Sequence, residues 1–324
     1  MLPTSAPYLQ LAAFRFVLRA AEAIQIPPNA GSTLRGGFGA ALKRVACFQR
    51  SRPPDSCAGC PVAHQCPYGY LFETRLPPDS EVLRSSSEIP HPFVIEPPES
   101  PPPVYEPGSA LELRFVLVGR GIAFLPYIVL AFERLGEVGM GRGRGRFQVE
   151  EVVAEHPLTG HWAPVYRGGK PLACATDLTL SYEELAAACA GANADDLLVE
   201  FVTPTRLVAD GRLVERPSFQ QLVRAALRRI SSLSYFHCGN RWEADFQGMV
   251  ATAERVETAA TDLRWVDWER YSSRQETRMK LGGVVGSARY RGPVSVFLPL
   301  LLAAGVVHLG KACSFGNGKL RVRW

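Results

Sequence analysis

A short segment between two hydrophobic stretches alternates glycine with arginine. From Gly139 to Arg146 it reads Gly-Met-Gly-Arg-Gly-Arg-Gly-Arg and holds no acidic residue. Glycine lets backbone N–H groups approach a phosphate closely, and Arg142, Arg144 and Arg146 add positive charge. This segment, the arginine loop, therefore predicts an anion-binding site. The alternative is a flexible turn that carries solvated charges.

A second glycine-rich segment, the histidine loop, runs from Gly305 to Lys319 and joins the most apolar stretch to the end of the chain. Its glycines permit left-handed backbone angles. Lys311 and Lys319 supply charge, and His308 supplies a group that titrates near neutral pH. The loop lacks the GxxxxGK[ST] pattern and follows a predicted helix, not a strand, which argues against a nucleotide-cofactor enzyme.

Aromatic and basic residues are interleaved from Trp265 to Gln275, where Arg270 and Arg274 follow the aromatics, and Lys280 comes shortly after. Such interleaving suits base stacking combined with phosphate contact. A half-buried strand with its charges facing solvent is an equally good interpretation.

Four cysteines, Cys47, Cys57, Cys60 and Cys66, fall in a short, proline-rich segment. Four thiolates can bind zinc tetrahedrally, and a metal would order a loop with so little apolar content. The spacing is not that of a zinc ribbon, and His64 could replace one sulfur. A disulfide or free thiols are the alternatives. The remaining cysteines are expected to be ordinary core or surface thiols: Cys174, Cys189, Cys238 and Cys313.

Positive charge is concentrated in two parts of the chain. The 324 residues carry a formal net charge of +5. From Arg264 to Trp324 there are 11 Lys and Arg residues against 3 acids, a net of +8. A second, acid-free stretch from Gly31 to Pro54 contains five basic residues: Arg35, Lys43, Arg44, Arg50 and Arg52. Such clusters indicate a polyanionic partner, with a solvated, salt-bridged face as the alternative.

The sequence predicts no signal peptide and no membrane-spanning helix. The first residues lack a basic segment followed by an apolar one. The longest apolar run, Val294 to Leu309, is too short to span a bilayer comfortably and predicts a buried helix. With 47% hydrophobic residues the chain can build a substantial core, and a cytoplasmic location without membrane contact is expected.

Apolar periodicity predicts the order β-α-(irregular)-β-α-β for the first half, with helices over 33–48 and 124–135 and a proline-rich loop over 77–107. The second half repeats β-α-β-β-α-β, with helices over 217–235 and 294–309. This predicts an α+β fold of tandem ferredoxin-like domains with a Cys-rich insertion. The expected domains are residues 1–160 and 195–324, joined by 161–194.

Several short motifs occur together in a specific order. In the second half of the chain these motifs are Phe201–Leu207, Arg270–Gln275, Gly282–Gly283, His308–Lys311 and Ser314–Lys319. In the first half they are Leu34–Gly39, the CxxC loop leading into Cys66–Glu73, Ile89–Val94 and the arginine loop. In this combination the chain resembles the CRISPR repeat-processing endoribonucleases of the RAMP superfamily, in their long form with a Cys-rich loop.

The resemblance implies tandem ferredoxin-like (RRM/RAMP-like) domains that bind CRISPR repeat RNA or crRNA. It also implies metal-independent cleavage of precursor crRNA, in which a 2′-hydroxyl attacks the adjacent phosphate. No cofactor is then needed for catalysis, and zinc would be purely structural. Other CRISPR effector subunits are further expected partners.

Many members of this family place a catalytic histidine on the first helix, but residues 33–48 contain none. We therefore take His308 as the candidate catalytic group, with Lys311 stabilising the phosphorane, and Tyr235 with His237 as the second choice. A buried core histidine is an equally good interpretation of His308. The candidate RNA-binding residues are Arg35, Lys43, Arg44, Arg142, Arg144, Arg146, Arg270, Arg274, Lys280 and Lys319. The other histidines, in loops, are expected to be structural or exposed: His64, His91, His156 and His161.

Two other functions were weighed. A catalytically inactive subunit that holds guide RNA in an effector complex would share the fold and the basic surface, and the missing first-helix histidine favours it. A zinc-stabilised DNA-binding protein would need a recognition helix with outward basic residues at base-reading spacing. The helix predicted over 217–235 has some arginines, but nothing else supports that function.

Overall fold

The computed structural model describes residues 6–49, 57, 59–74, 89–170, 178–267, 269–272 and 277–324. The chain forms two compact units. The N-terminal unit is Leu11–Thr179, and the C-terminal unit is Leu180–Trp324 together with Met1–Gln10. Within the described ranges, no helix has both the length and the apolar character that crossing a membrane requires.

The N-terminal unit is built on an antiparallel sheet. Its strands are β1 (Gln10–Ala20), β2 (Ile24–Gln25), β3 (Phe93–Glu96), β4 (Val104–Tyr105), β5 (Ala110–Val118), β6 (Phe147–Glu155) and β7 (Trp162–Arg167), and its helices are α1 (Ala30–Ala46), α2 (Pro67–Phe72) and α3 (Leu125–Val138). The strand order is β3-β5-β1-β6-β7, with β2 and β4 paired separately. Strands β1, β3, β5 and β6 with helices α1 and α3 form a ferredoxin-like β-α-β-β-α-β unit.

Aromatic side chains fill the core of this unit. Phe38 of α1 stacks on Phe132 of α3 with ring centroids 5.3 Å apart, and meets Phe115 of β5 edge-on at 5.2 Å. All three side chains are fully buried. Because aromatic pairs add directional attraction to the burial of large apolar surfaces, they fix α1 and α3 against the sheet and against each other.

The C-terminal unit repeats this arrangement. Its strands are β8 (Thr179–Ser181), β9 (Asp196–Thr205), β10 (Leu207–Ala209), β11 (Arg212–Val214), β12 (Glu257–Val266), β13 (Glu269–Ser272), β14 (Thr277–Lys280), β15 (Gly283–Arg291) and β16 (Leu320–Arg323), and its helices are α4 (Tyr182–Ala188), α5 (Phe219–Cys238), α6 (Phe246–Glu254) and α7 (Leu298–Val307). The main sheet has the order β12-β15-β9-β16. Strands β9, β12, β15 and β16 with helices α5 and α7 form the second ferredoxin-like unit.

Helix α5 is fixed at both ends and along its buried face. Ser218 and Gln221 form a reciprocal capping box at its start, and Gly239 ends it in the left-handed conformation. Phe219 contacts the rings of Tyr290 and Phe297, each at a centroid distance of 5.3 Å. The helix thus packs its apolar face on β15 and on the segment that leads into α7.

The predicted tandem ferredoxin-like fold is confirmed, with local corrections. Strand β3 lies inside the segment predicted to be an irregular proline-rich loop. It occupies the edge of the sheet, a place that neighbouring prolines allow. Helix α1 begins at Ala30, three residues before its predicted start at residue 33. Strand β7 pairs with β6, and therefore the N-terminal unit extends beyond residue 160 into the segment predicted to connect the domains.

Candidate nucleic-acid interface

The backbone of the arginine loop is folded tightly beside the segment that precedes α1. The N–H of Arg142 donates to the carbonyl of Gln25 at 2.9 Å, and the N–H of Met140 donates to the carbonyl of Gly145 at 3.1 Å. Gly139 has a φ of +81°, and a Cβ there would lie 2.0 Å from the carbonyl oxygen of Arg144. Glycine is therefore required for this close packing, so the segment is not a loose turn.

The three arginine side chains of this loop differ. Arg142 and Arg144 are exposed, and no acidic side chain in the described part of the chain pairs with either. Arg146 instead binds Glu22, with Nε donating to Oε1 at 2.8 Å. The side-chain and backbone hydrogen bonds from Arg146 hold the pKa of the Glu22 carboxyl below its ordinary value. All three arginines are therefore exposed, and Arg146 also holds the loop against Glu22.

The histidine loop turns its histidine inward. His308 is fully buried and has a φ of +60°. Its Nδ1 lies 3.0 Å from the carbonyl oxygen of Asn317. Because a carbonyl oxygen can only accept, Nδ1 carries the proton in this contact. The imidazole joins the two ends of the loop, and a fully buried ring is not placed to exchange a proton with RNA at the surface. Its burial favours the core interpretation of His308, and the catalytic role stays a prediction.

The rest of this loop is fastened to the end of β9. The hydroxyl of Thr203 donates to the carbonyl of Gly316 at 2.8 Å and accepts from the N–H of Lys319 at the same distance. The N–H of Lys311 donates to the carbonyl of Arg206 at 3.0 Å. The Phe201–Leu207 motif thus supports the backbone of the histidine loop through these three hydrogen bonds. Lys311 is exposed and Lys319 is half-buried.

Tyr235 and His237, the second predicted catalytic pair, lie on the last turn of α5. The ring of Tyr235 is half-buried and meets Phe236 edge-on at 4.9 Å. His237 is 3% exposed. Lys311 is therefore the one exposed side chain among the four predicted catalytic residues, all of which the structure describes.

Helix α1 presents two cations to the aromatic rings of α2. The guanidinium of Arg35 lies 5.0 Å from the centroid of Phe72, and the ammonium of Lys43 lies 5.4 Å from that of Tyr68. Between them, a Cβ on Gly39 would lie 2.7 Å from the Phe72 ring. Gly39 therefore allows the two helices to approach closely enough for both cation–π contacts.

Arg35 also contacts His91, which precedes β3. Nη2 of Arg35 lies 3.2 Å from Nε2 of His91, and Nδ1 of His91 lies 3.2 Å from the hydroxyl of Thr74. That hydroxyl donates to the carbonyl of Tyr70. Since a guanidinium can only donate, Nε2 accepts and Nδ1 carries the proton, so the ring is neutral. His91, predicted to be structural or exposed, is half-buried and orients a predicted RNA-binding arginine.

The aromatic and basic segment predicted to contact bases lies in a long β-hairpin. Strands β12 and β15 pair as far as Val266 and Gly283, and β13 and β14 continue the antiparallel pairing from Glu269 opposite Lys280. The backbone of Arg270 and Lys280 belongs to this continuation, while Arg274 lies outside the described residues.

The four clustered cysteines lie at the end of α1 and in the turns before α2. Among the described residues, no three His, Cys, Asp or Glu side chains are grouped so as to hold a metal ion. Burial raises the pKa of the Cys57 thiol, with the negative charges of Glu73, Cys66 and Cys47 as smaller contributions. The Cys57 thiol thus lies near those of Cys47 and Cys66, and structural zinc stays a prediction.

Comparison with known families agrees with the two-unit division. Residues 9–178 match the model of the AF_1859_N family, an N-terminal domain. Residues 199–320 match the model of the CRISPR-associated endoribonuclease Cas6. The chain belongs to the AF_1859_N family, whose model covers more than half of it, and its C-terminal part is similar to the Cas6 endoribonucleases. The Cas6 match covers β9 and the histidine loop, and the AF_1859_N match covers the arginine loop and the cysteines.

Known proteins resemble the chain over nearly its whole length. It is 26% identical over 306 residues to an uncharacterised protein of Archaeoglobus fulgidus, covering 92% of this chain and 93% of that protein. Cas6 of Thermus thermophilus has a TM-score of 0.54 at 17% identity, and the match covers 98% of this chain and 100% of that one. A Cas6 product complex has a TM-score of 0.56 at 16% identity, and the match covers 97% of this chain and 99% of that one. At these identities the solved structures support the fold.

Two contacts of this interface join residues that are far apart in the sequence. Arg35 and His91 are separated by 56 positions, and Glu22 and Arg146 by 124. Neither spacing is short enough for the period of a helix or a strand to indicate the contact. The one available signal was the histidine between two prolines at Ile89–Val94, which belongs to the family-like motifs but indicated no partner.

Proposed function

We propose that this protein binds CRISPR repeat RNA and cleaves precursor transcripts by attack of a ribose 2′-hydroxyl on the adjacent phosphate. The observation that carries the proposal is the match of residues 199–320 to the Cas6 endoribonucleases. The exposed cations Arg142, Arg144 and Lys311 support it, because RNA affinity is dominated by phosphate contacts.

In this reaction the 2′-O–H bond breaks and its proton passes to a base, while a new 2′-O–P bond forms. The P–O5′ bond then breaks, and the leaving oxygen takes a proton from an acid. The products are a 2′,3′-cyclic phosphate and a 5′-hydroxyl. Nearby cations stabilise the charge that accumulates on the phosphorane oxygens, and Lys311 is the predicted residue best exposed for that role.

The experiment compares three reactions of the purified protein: repeat RNA in buffer with magnesium, repeat RNA in EDTA, and RNA with a single 2′-deoxy substitution before the cut. We expect equal cleavage rates with magnesium and EDTA, and no cleavage at the deoxy position. Cleavage that stops in EDTA, or that continues at the deoxy position, would contradict the proposed chemistry.

A guide-RNA holder without catalytic activity is the second candidate. Burial of His308 and His237, together with an α1 that contains no histidine, favours it because these were the expected proton-transfer groups. Such a protein would bind repeat RNA tightly and leave it intact in all three reactions. Other CRISPR proteins are proposed partners in either case, since a similar structure is a partial Cas6-RT-Cas1–Cas2 complex, of whose chain 47% is covered.

A further inference from the structure

A groove of about 1000 Å³ lies between α1 and α3 in the N-terminal unit. On α1 it is lined by one helical face with small side chains, including Gly37, Ala40 and Ala41. Small residues leave room between two helices whose inner faces are held together by the Phe38 and Phe132 rings. The groove is large enough for a nucleotide.

Part of the groove lining is apolar and incompletely covered. Leu130 and Val138, on the facing side of α3, remain 48% and 41% exposed. Ala40 on α1 is exposed as well. Leucine and valine left open inside a concave surface are suited to contact with a flat apolar group.

The rim of the groove is positively charged. Lys43 and Arg44 stand on α1, Arg134 on α3 and Arg144 in the arginine loop, against one lining acid, Glu137. Both carboxylate oxygens of Glu137 bind Arg134, at 2.9 and 2.7 Å. Arg44 and Arg144 are exposed, and no described acidic side chain pairs with either.

Exposed apolar side chains beside two such arginines match the two parts of a nucleotide. A base has a flat apolar face that side chains and guanidinium planes can stack on, and its flanking phosphates pair with arginine. An acidic protein segment would complement the charge but would have no planar group for the apolar lining. A base in a duplex has both faces covered by its neighbours, so the groove fits single-stranded RNA.

We propose that the groove between α1 and α3 holds one nucleotide of single-stranded RNA, with its base against the exposed apolar side chains of the lining and its flanking phosphates on Arg44 and Arg144. This site rests on the proposed RNA-binding function and adds a binding position to it.

The test measures equilibrium binding of a fully 2′-O-methylated repeat RNA, which cannot undergo 2′-attack, across a series of KCl concentrations. The variants are Arg44→Gln, Arg144→Gln and Ala40→Trp. The matched control is Arg167→Gln, which removes the same charge from an exposed arginine that is paired with Glu151 at 3.0 Å. Thermal melting of every variant confirms that it is folded.

Each of Arg44→Gln and Arg144→Gln should lower the slope of log K against log salt by about 0.7, the value for one phosphate contact to a single strand. Ala40→Trp fills the groove without changing charge and should weaken binding about tenfold at an unchanged slope, since contacts to one base contribute that order of affinity. Arg167→Gln should bind as the wild type does.

The proposed site would be overturned if folded Ala40→Trp binds RNA with wild-type affinity, or if the salt slope is unchanged in both arginine variants. The groove would then be left to a protein segment. If the wild type binds no RNA, the groove site and the proposed function both fall. If the variants show the expected changes in binding but the wild type never cleaves unmodified RNA, the proposed cleavage fails and the groove site stands.

Discussion

The arginine loop and the histidine loop occupy equivalent positions in the two units, yet they use glycine for different ends. Each follows the second helix of its ferredoxin-like motif, α3 or α7, and leads into the last strand, β6 or β16. In both, glycines with positive φ bring backbone against a neighbouring carbonyl. The arginine loop directs Arg142 and Arg144 outward, whereas the histidine loop buries His308 and Asn317.

This difference shows that a glycine-rich loop with basic residues does not by itself mark a reaction centre. Glycine determines how closely the backbone can pack. The side chains between the glycines determine whether the loop forms a binding surface or buries polar groups that hold it in place. We therefore expect substitutions in the histidine loop to change stability first, and substitutions of the exposed arginines to change RNA binding first.

The largest effect is expected from alanine at Gly318. A Cβ there would lie 2.0 Å from the carbonyl oxygen of Leu309, and the φ of +81° is strained for any L-residue. Gly318→Ala should lower the free energy of unfolding by about 3 kcal/mol or more. The matched control, Gly143→Ala in the arginine loop, has φ +84° and open space, and should cost about 1–2 kcal/mol. Equal losses in urea unfolding would contradict the difference in packing.

Removing the buried imidazole should be the next largest change. His308→Ala leaves the Asn317 carbonyl without this donor and creates a cavity, so the free energy of unfolding should fall by about 2–3 kcal/mol. Thermal and urea unfolding measure this directly. An unchanged stability would show that the ring does not fasten the loop.

The arginines of the first loop should separate into a binding residue and a structural one. Arg142→Gln should leave the melting temperature unchanged and reduce the salt slope of RNA binding by about 0.7, since an exposed phosphate contact is lost. Arg146→Gln should instead cause a small loss of stability, because Arg146 binds Glu22. The reverse pattern would mean that the loop rearranges when RNA binds.

The Arg146–Glu22 pair also predicts a pH dependence. Its lowered pKa means that Glu22 stabilises the folded state above its ordinary pKa of 4.5, and that this contribution is lost as the pH falls through the lower folded value. Glu22→Gln should be slightly less stable than wild type near pH 7 and indistinguishable at about pH 2. A stability difference between Glu22→Gln and the wild type that grows as the pH falls would mean that ionised Glu22 does not stabilise the folded state.

The smallest effect concerns the cysteines beside α2. Because burial raises the pKa of Cys57, its alkylation rate should reach half its maximum at a higher pH than that of an ordinary thiol. Mass spectrometry of the alkylated chain measures this, and metal analysis of the same sample tests for structural zinc. One bound zinc, with thiols that react only after a chelator is added, would show a metal site that the described geometry does not form.

The order of the main elements could be predicted from the sequence because α1, α3 and α5 have apolar residues at helical spacing and α7 is apolar throughout. Helices α2 and α6 were not predicted. Strand β3 was missed because Phe93–Glu96 lies among prolines, and its pairing with β5 depends on residues about 20 positions away. The upstream limit of α1 was missed because Asn29 makes no side-chain cap bond that a capping pattern could reveal.

The site was less predictable than the fold. Exposure of Arg142 and Arg144 follows from their place between glycines, and it was foreseen. The choice between a buried and a catalytic His308 stayed open, because burial depends on β9, about 100 residues earlier in the chain, which holds the loop in its inward conformation. Contacts between distant segments decide which polar residues face RNA, and no local pattern records them.

The central claim is that His308 fastens its loop and does not transfer a proton. The most direct test is single-turnover cleavage of repeat RNA in EDTA by His308→Gln, at a temperature where circular dichroism shows it folded and at saturating protein. We predict cleavage within about threefold of the wild-type rate, since loss of a proton-transfer group typically costs at least about 100-fold. A folded variant that binds RNA as tightly as wild type but cleaves at least about 100-fold more slowly would contradict the claim and return His308 to the reaction.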